Sequence, residues 1–323
     1  MTISLGKRRG LTQCASSQGV FSIVALDQRR SLKKAFNPIN PESVTYNELV
    51  SFKQHVISVL APESSAVLLD PEYGAAQNLA QDNIPGTTGL ILALEETGYS
   101  GKPESRISRI LPGWSVRKAQ ILGANAIKLL AYYHPDSPFA ADQRHLIEEV
   151  AATCNKHEMP FFLEPIIHSI NPKQNTLSQS ERQQTIVTVA QELSLLGPDI
   201  LKLEFPADIQ SETDETQWAK ACKEVTEASA VPWVLLSAGV DYDIYLRQVI
   251  AACSAGASGV MAGRSIWKEA IGMDFYERDV FLKKTATQRI KNLKSVCDGL
   301  AKPWNVNYPH SAIGEGWYLN DNN

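Results

Sequence analysis

Eight short apolar runs, rich in β-branched residues, punctuate the chain at residues 20–26, 65–69, 89–94, 126–133, 160–165, 200–206, 232–237 and 259–263. Most show no strict polar alternation, which suits parallel strands covered on both faces. Helix patterns lie between them. Ile147, Val150, Ala151 and Cys154 stand at i, i+3, i+4, i+7. The same template recurs at Ile186, Val189, Ala190 and Leu193, at Trp218, Ala221, Cys222 and Val225, and at Leu246, Val249, Ile250 and Cys253. Each is one apolar stripe turned to a sheet. Strands and helices in strict alternation predict a parallel sheet. Eight strands in roughly 250 residues fit a closed (β/α)8 barrel, the TIM barrel, better than an open doubly wound sheet.

The spacing is uneven. Residues 72–88 leave room for only a short helix, and 95–125 predicts a surface loop before its helix. The polar segment 171–180 is expected over the barrel mouth, and 280–300 reads as helix. With no clear domain boundary, residues 1–323 are expected to form one barrel domain with its core at about 18–304. A polar tail, 305–323, is expected to be mobile at its tip.

The charges inside the apolar runs carry the chemistry. In this fold the reactive groups gather at the C-terminal ends of the strands. The sixth run holds Lys202 and Glu204, which share a face, while Leu201, Leu203 and Phe205 take the other. Lys128 lies opposite Ile127 and Leu129, and Glu164 lies opposite Leu163. Neighbouring strands then set Lys128, Glu164 and Lys202 side by side in the interior. A buried ammonium is costly unless it is paired or gives up its proton. One reading is therefore a structural ion network, with Glu204 or another acid beside Lys202. The other is an amine nucleophile able to form a Schiff base, its pKa lowered by the second lysine and its protons moved by the glutamate. After the seventh and eighth runs, Ser237-Ala238-Gly239 and Gly263-Arg264 offer backbone N–H groups and a guanidinium, a pattern suited either to a phosphate or to helix capping.

Composition narrows the classes. The 323 residues are 44% hydrophobic and 20% charged, with a net charge of −4. That excludes a broad electrostatic attraction to nucleic acid or an anionic membrane. No apolar run approaches the ~18 residues of a membrane span, and the first eleven residues do not form a secretory signal. The five cysteines, Cys14, Cys154, Cys222, Cys253 and Cys297, are odd in number and widely spaced, without C-x-x-C. That favours core thiols in a reducing cytoplasm. Only His134 and His168 fall near strand ends, too few for a metal centre, so neither metal nor cofactor is expected.

Taken together, these residues resemble the tagatose 1,6-bisphosphate aldolase family. The matching motifs are Ala25-Leu26-Asp27-Gln28-Arg29, Leu68-Leu69-Asp70-Pro71-Glu72-Tyr73-Gly74 and Lys128-Leu129-Leu130-Ala131-Tyr132-Tyr133. Four more follow: Pro160-Phe161-Phe162-Leu163-Glu164, Leu201-Lys202-Leu203-Glu204, Leu236-Ser237-Ala238-Gly239-Val240 and Ala262-Gly263-Arg264. The resemblance spans residues 18–304. It implies that Lys202 forms a Schiff base, that Glu164 transfers protons, and that Asp27 and Lys128 complete the catalytic group. It also implies that Gln28, Ser237, Met261, Gly263 and Arg264 line the substrate or phosphate site, where the residues themselves add Gly239. Pro165 after Glu164 and the run Val231-Pro232-Trp233-Val234-Leu235 resemble instead the related aldolases for 6-deoxy-6-sulfofructose 1-phosphate. Arg30 stands where the tagatose group usually has glycine.

The expectation is a metal-independent aldolase that cleaves tagatose 1,6-bisphosphate to dihydroxyacetone phosphate and glyceraldehyde 3-phosphate. The alternatives are cleavage of 6-deoxy-6-sulfofructose 1-phosphate to dihydroxyacetone phosphate and 3-sulfolactaldehyde, and a sugar-phosphate-binding regulator without catalysis. The expected partner is a phosphorylated ketose, not nucleic acid or a membrane. The apolar outer helix faces leave room for a homo-oligomer.

Overall fold

The computed structural model describes residues 2–174, 176–310 and 312–317. Its strands are β1 (Phe21–Leu26), β2 (Ala66–Leu69), β3 (Gly89–Ala93), β4 (Ala126–Tyr133), β5 (Phe161–Ile167), β6 (Ile200–Leu203), β7 (Trp233–Leu236) and β8 (Gly259–Ala262). They close in sequence order into a barrel, every neighbour parallel, with β8 returning to β1. All eight expected runs are therefore strands of the (β/α)8 fold. The helices are α1 (Leu5–Cys14), α2 (Arg30–Phe36), α3 (Tyr46–Leu60), α4 (Ala75–Leu79), α5 (Val116–Ile121), α6 (Ala140–Lys156), α7 (Gln179–Leu193), α8 (Glu215–Ala228), α9 (Tyr242–Ser254), α10 (Arg264–Trp267), α11 (Phe275–Phe281) and α12 (Thr287–Leu300). The short helix after β2 and the long loop before α5 follow the sequence spacing. Among the described residues no helix is long and apolar enough to cross a membrane.

Alternation along each strand divides the apolar residues between two cores. Val24, Leu26, Val67, Leu69, Ile127, Leu129, Leu163, Leu201 and Leu203 pack outward against the helices. Ile23, Ala25, Leu68, Ile91, Phe162, Ile200, Val234 and Met261 fill the barrel interior. Inward positions further along the same strands are the charged ones. All five cysteines are buried and unbridged.

The N-terminal end of the barrel is stoppered, which the sequence reading did not foresee. Leu11 and Cys14 of α1, with Trp304 and Tyr308, join the interior cluster. Ser4 caps α1 by accepting from the Lys7 N–H. Lys7 is buried against Asp199 at 2.8 Å, and the Tyr308 hydroxyl donates to the Asp199 carbonyl at 2.8 Å. The working core thus reaches beyond 18–304 at both ends. Tyr308 belongs to it rather than to a tail, while the tip of the tail lies outside the described residues.

Two further expectations need correction. On α9 the buried residues are Tyr245, Gln248, Val249, Ala251, Ala252 and Cys253, while Leu246 is half-buried and Ile250 is exposed. Val249 and Cys253 of the expected stripe thus face the wall, but Ile250 does not, and a packed tyrosine and a buried glutamine join the buried face. The 171–180 segment contributes no described residue to the lining of the main cavity. Asn171, Pro172 and Gln174 instead meet Pro103, Glu104 and Arg106 around a smaller cavity of about 70 Å³.

The β4–β5 pair projects beyond the barrel rim. These strands stay in register from Ile127↔Phe161 to Tyr133↔Ile167, whereas β5 pairs with β6 only at Phe162↔Ile200 and Leu163↔Leu201. Pro165, which has no N–H, falls where β5 has already left β6, a position proline tolerates. The projecting ribbon carries Leu130, Tyr132, Glu164 and Ile166 to the cavity wall.

Candidate active site

Strand register brings the interior charges together. Lys128 lies level with Phe162, and Phe162 with Ile200. Glu164 and Lys202, each two residues further on, therefore share the next inward layer. Lys202 Nζ is 2.7 Å from Glu164 Oε1, and Lys128 Nζ reaches the other oxygen, Oε2, at 2.6 Å. Lys128 also meets Asp27 at 2.8 Å and Glu95 at 2.6 Å. All of these side chains are at most 8% exposed.

One ammonium inside three carboxylates has a definite protonation state. Burial would lower the pKa of Lys128, but Asp27, Glu164 and Glu95 more than offset it and raise it well above its ordinary value. The expected mutual lowering between lysines therefore fails at Lys128, which stays a fixed cation. Burial would raise Asp27, yet Lys128 and Lys202, with Lys53 behind them, hold its carboxyl well below the usual range. Glu204 is not the partner of Lys202. It lies past the end of β6, where it pairs with Arg182 of α7 at 3.2 Å and accepts the Ile167 N–H at 3.0 Å. Burial raises its pKa.

Above this cluster opens a cavity of about 560 Å³. Asp27, Gln28, Glu164 and Arg264 line it, with Arg29, Arg30, Lys34, Glu95, Glu96 and Tyr132 among their neighbours. Lys202 and Lys128 lie beneath the lining, ion-paired with Glu164. Asp27 Oδ1 and Gln28 Oε1 are buried acceptors without a hydrogen-bond partner among the described residues. Such acceptors at a cavity are suited to sugar hydroxyls. Met261 sits lower, within the interior apolar cluster.

The β7 and β8 ends form an adjoining turn. Ser237 Oγ accepts the Gly263 N–H at 3.2 Å. Ala238 and Gly239 both adopt positive φ, 49° and 86°. The Arg264 guanidinium donates to the Ala238 carbonyl at 3.1 Å, and a Cβ on Gly239 would come within 3.1 Å of its central carbon. Glycine here both permits the turn and clears space for the arginine.

The structure adds residues that the motifs left without a role. Glu95 accepts the Leu130 N–H at 3.0 Å as well as holding Lys128. Arg29 donates to Glu72 and to the Glu95 carbonyl, both at 2.7 Å. Lys53 of α3 is fully buried against Asp70 and donates to the Leu26 carbonyl at 2.9 Å. The available signal was acid or base directly at strand ends, Glu95 and Asp70 above all. His134 and His168 stand 6.4 Å apart between ring centroids. Burial, the Arg106 cation and His134 push His168 down to about 4. Among the described residues no group of three or more His, Cys, Asp or Glu is arranged to hold a metal ion.

Comparison with known proteins finds relatives along most of the chain. The family model described as DeoC/LacD family aldolase matches residues 21–269. Tagatose 1,6-diphosphate aldolase 2 of Enterococcus faecalis is 31% identical, covering 95% of this chain and 98% of that protein. Tagatose 1,6-diphosphate aldolase 1 of Streptococcus pyogenes is also 31% identical, covering 94% and 99%. Among solved structures, fructose-bisphosphate aldolase from Plasmodium falciparum superposes with a TM-score of 0.73 at 14% identity, over 94% of this chain and 98% of that one. An archaeal fructose 1,6-bisphosphate aldolase gives 0.61 at 18% identity, over 91% and 99%. These two likenesses concern the fold alone. The sequence matches go further, since they run through the strands that carry Asp27, Lys128, Glu164 and Lys202, and on their strength the chain belongs to the DeoC/LacD aldolase family.

Proposed function

We propose that this aldolase is a metal-independent Schiff-base enzyme that cleaves tagatose 1,6-bisphosphate to dihydroxyacetone phosphate and glyceraldehyde 3-phosphate. The observation that carries the reading is Glu164 held between two lysines, 2.7 Å from Lys202 and 2.6 Å from Lys128. The tagatose 1,6-diphosphate aldolases among its relatives support the substrate.

Attack requires the amine form of Lys202, and Glu164 is the acceptor within reach of its proton. The amine adds to the C2 carbonyl, and the carbonyl oxygen takes a proton to give a carbinolamine. Protonated Glu164 then delivers a proton to that hydroxyl, which leaves as water as the C2–N double bond forms. The resulting iminium is the electron sink. Glu164 or Asp27 removes the C4 hydroxyl proton, the C3–C4 bond breaks, and its electron pair moves to C3 as the iminium becomes an enamine. The C4 fragment leaves as the aldehyde. Protonation at C3 and hydrolysis release dihydroxyacetone phosphate and restore Lys202. Lys128 remains charged throughout and orients Glu164 and Asp27. The Ser237–Gly239 turn, Gly263 and Arg264 take the C1 phosphate.

Borohydride trapping tests the reading. With dihydroxyacetone phosphate the protein is expected to gain a stable covalent adduct, absent in Lys202→Met, and cleavage is expected to persist in EDTA. An undiminished adduct in Lys202→Met, or complete loss of cleavage in EDTA, would sink it.

A further inference from the structure

Two cations at the cavity rim have no role in the chemistry above. Arg30 and Lys34 lie four residues apart on α2, so they share one helix face, and both line the cavity. Their neighbour Lys33 is neutralised by Glu42 at 3.1 Å. Among the described residues, no carboxylate lies within ion-pair distance of Arg30 or Lys34. The other cations near the floor are engaged: Arg29 with Glu72, Lys128 with three carboxylates, Lys202 with Glu164. Like charges four apart on a helix repel, so this face is arranged at a local cost that a bound anion would offset.

We propose that Arg30 and Lys34 form the subsite for the anionic group, a phosphate or a sulfonate, at the substrate end remote from the bond to Lys202. The proposal rests on the Schiff-base reading above. Lys202 stands at the end of β6, and in the closed strand order β7 and β8 separate β6 from β1. A six-carbon ketose bound to Lys202 through C2, with its C1 phosphate at the β7–β8 turns, has its other end free to reach the rim of the same cavity beside β1. There the chain leaving β1 presents Asp27 at the floor and Arg30 and Lys34 at the rim. The carboxylates of Asp27, Glu95 and Glu164 exclude a second anion from the floor. Glu96 also lines the cavity, yet two cations against it leave that rim positive. Arg30 is placed by the 97–98 segment: its N–H donates to Thr97 Oγ1 at 3.4 Å, and a Cβ on Gly98 would stand 3.8 Å from its Nη1. A guanidinium and an ammonium on one helix face at the cavity rim can make the charge-assisted contacts that a tetrahedral oxyanion accepts.

The test is a substrate ratio. Three substrates are compared: a ketose 1,6-bisphosphate, a 6-deoxy-6-sulfoketose 1-phosphate and a ketose 1-phosphate with no distal anion. Each is assayed with the wild-type chain, Arg30→Gln, Lys34→Gln and the double variant. Wild type is expected to favour one distal-anion substrate over the plain 1-phosphate by kcat/KM, and that substrate identifies phosphate or sulfonate as the group read. In the double variant the ratio is expected to fall roughly 30-fold, with smaller losses in each single variant. A wild-type ratio near one, or a ratio unchanged because both substrates decline together, would overturn the subsite. The latter result would assign both cations to the C1 phosphate. Borohydride trapping with dihydroxyacetone phosphate separates the two levels. A missing wild-type adduct overturns the Schiff-base reading, whereas an intact adduct with an unchanged ratio overturns only the distal subsite.

Discussion

Lys128 places its ammonium 2.6 Å from Glu95, across the β3–β4 pairing. Glu95 is itself fixed by the Leu130 N–H, on the strand that carries Lys128. Carboxylate and cation are thereby locked to one piece of backbone. Glu95→Gln keeps the shape and an acceptor but removes a charge. Lys128 is then balanced only by Asp27 and Glu164, and it draws Glu164 away from Lys202. The expected result is a fall in kcat of about 10- to 100-fold with little change in KM, the scale of a misplaced proton-transfer group. Steady-state kinetics check it, and an unchanged kcat would remove Glu95 from the working arrangement.

Lys53 and Asp70 should show the asymmetry of a buried ion pair. Both side chains are wholly inaccessible. Lys53→Met leaves the Asp70 carboxylate buried, with the Tyr73 N–H its remaining side-chain hydrogen bond among the described residues. The expected loss is about 3–5 kcal/mol of unfolding free energy. Lys53→Met combined with Asp70→Asn should lose much less than the sum of the single variants. Urea unfolding of the four proteins measures the coupling, and strict additivity would refute it.

Acid sensitivity above pH 4 should trace to histidine. His168, ordinarily near 6.5, is pushed down to about 4, chiefly by burial and then by Arg106 and His134. Between those values the unfolded chain binds more protons than the folded one, so stability falls as the pH falls through that window. The contribution is at most ~3 kcal/mol. His134 is lowered too and adds in the same direction. Asp27, held well below the usual carboxylate range, loses its contribution only at lower pH. Urea unfolding at pH 7 and pH 4.5 should show a smaller difference for His168→Gln than for wild type. An equal difference would place the sensitivity elsewhere.

The N-terminal helix should prove integral to the barrel. Lys7→Met strands Asp199, whose carboxyl is already raised by burial. We expect a loss of roughly 2–4 kcal/mol at pH 7, shrinking as the pH falls and Asp199 takes a proton. Thermal unfolding across pH 5 to 8, values in the working range of carboxylate linkage, reads both size and slope. A pH-independent loss would point to packing rather than charge.

The interior charges were legible because a lysine or glutamate within an apolar run has only the barrel axis to face. Lys128, Glu164 and Lys202 announced themselves in this way. Glu95 did not, since a carboxylate just past a strand reads as a solvated loop until the fold brings Lys128 beside it. Glu204 misled for the opposite reason: it keeps the alternation of Lys202, but β6 ends at Leu203 and the chain turns it toward Arg182. α1 was hidden because its buried face includes Lys7 and Gly10 as well as Leu11 and Cys14, and the partner of Lys7 is 192 residues away. The buried face of α9 takes in Tyr245 as well, whose hydroxyl reaches the Leu235 carbonyl at 3.0 Å and so makes a polar-tipped ring part of the wall.

The stopper of Leu11, Cys14, Trp304 and Tyr308 under the barrel makes the reaction chamber a blind alley. Among the described residues the cavity opens at the rim that carries Arg30, Lys34 and Arg264, and on the proposed reading substrate and products use that side. On the proposed Schiff-base reading, the fragment freed from the distal end stands nearer the exit than the fragment still bonded to Lys202, so departure is expected to follow a queue. A fresh ketose would then take its place only after the last fragment has cleared the passage.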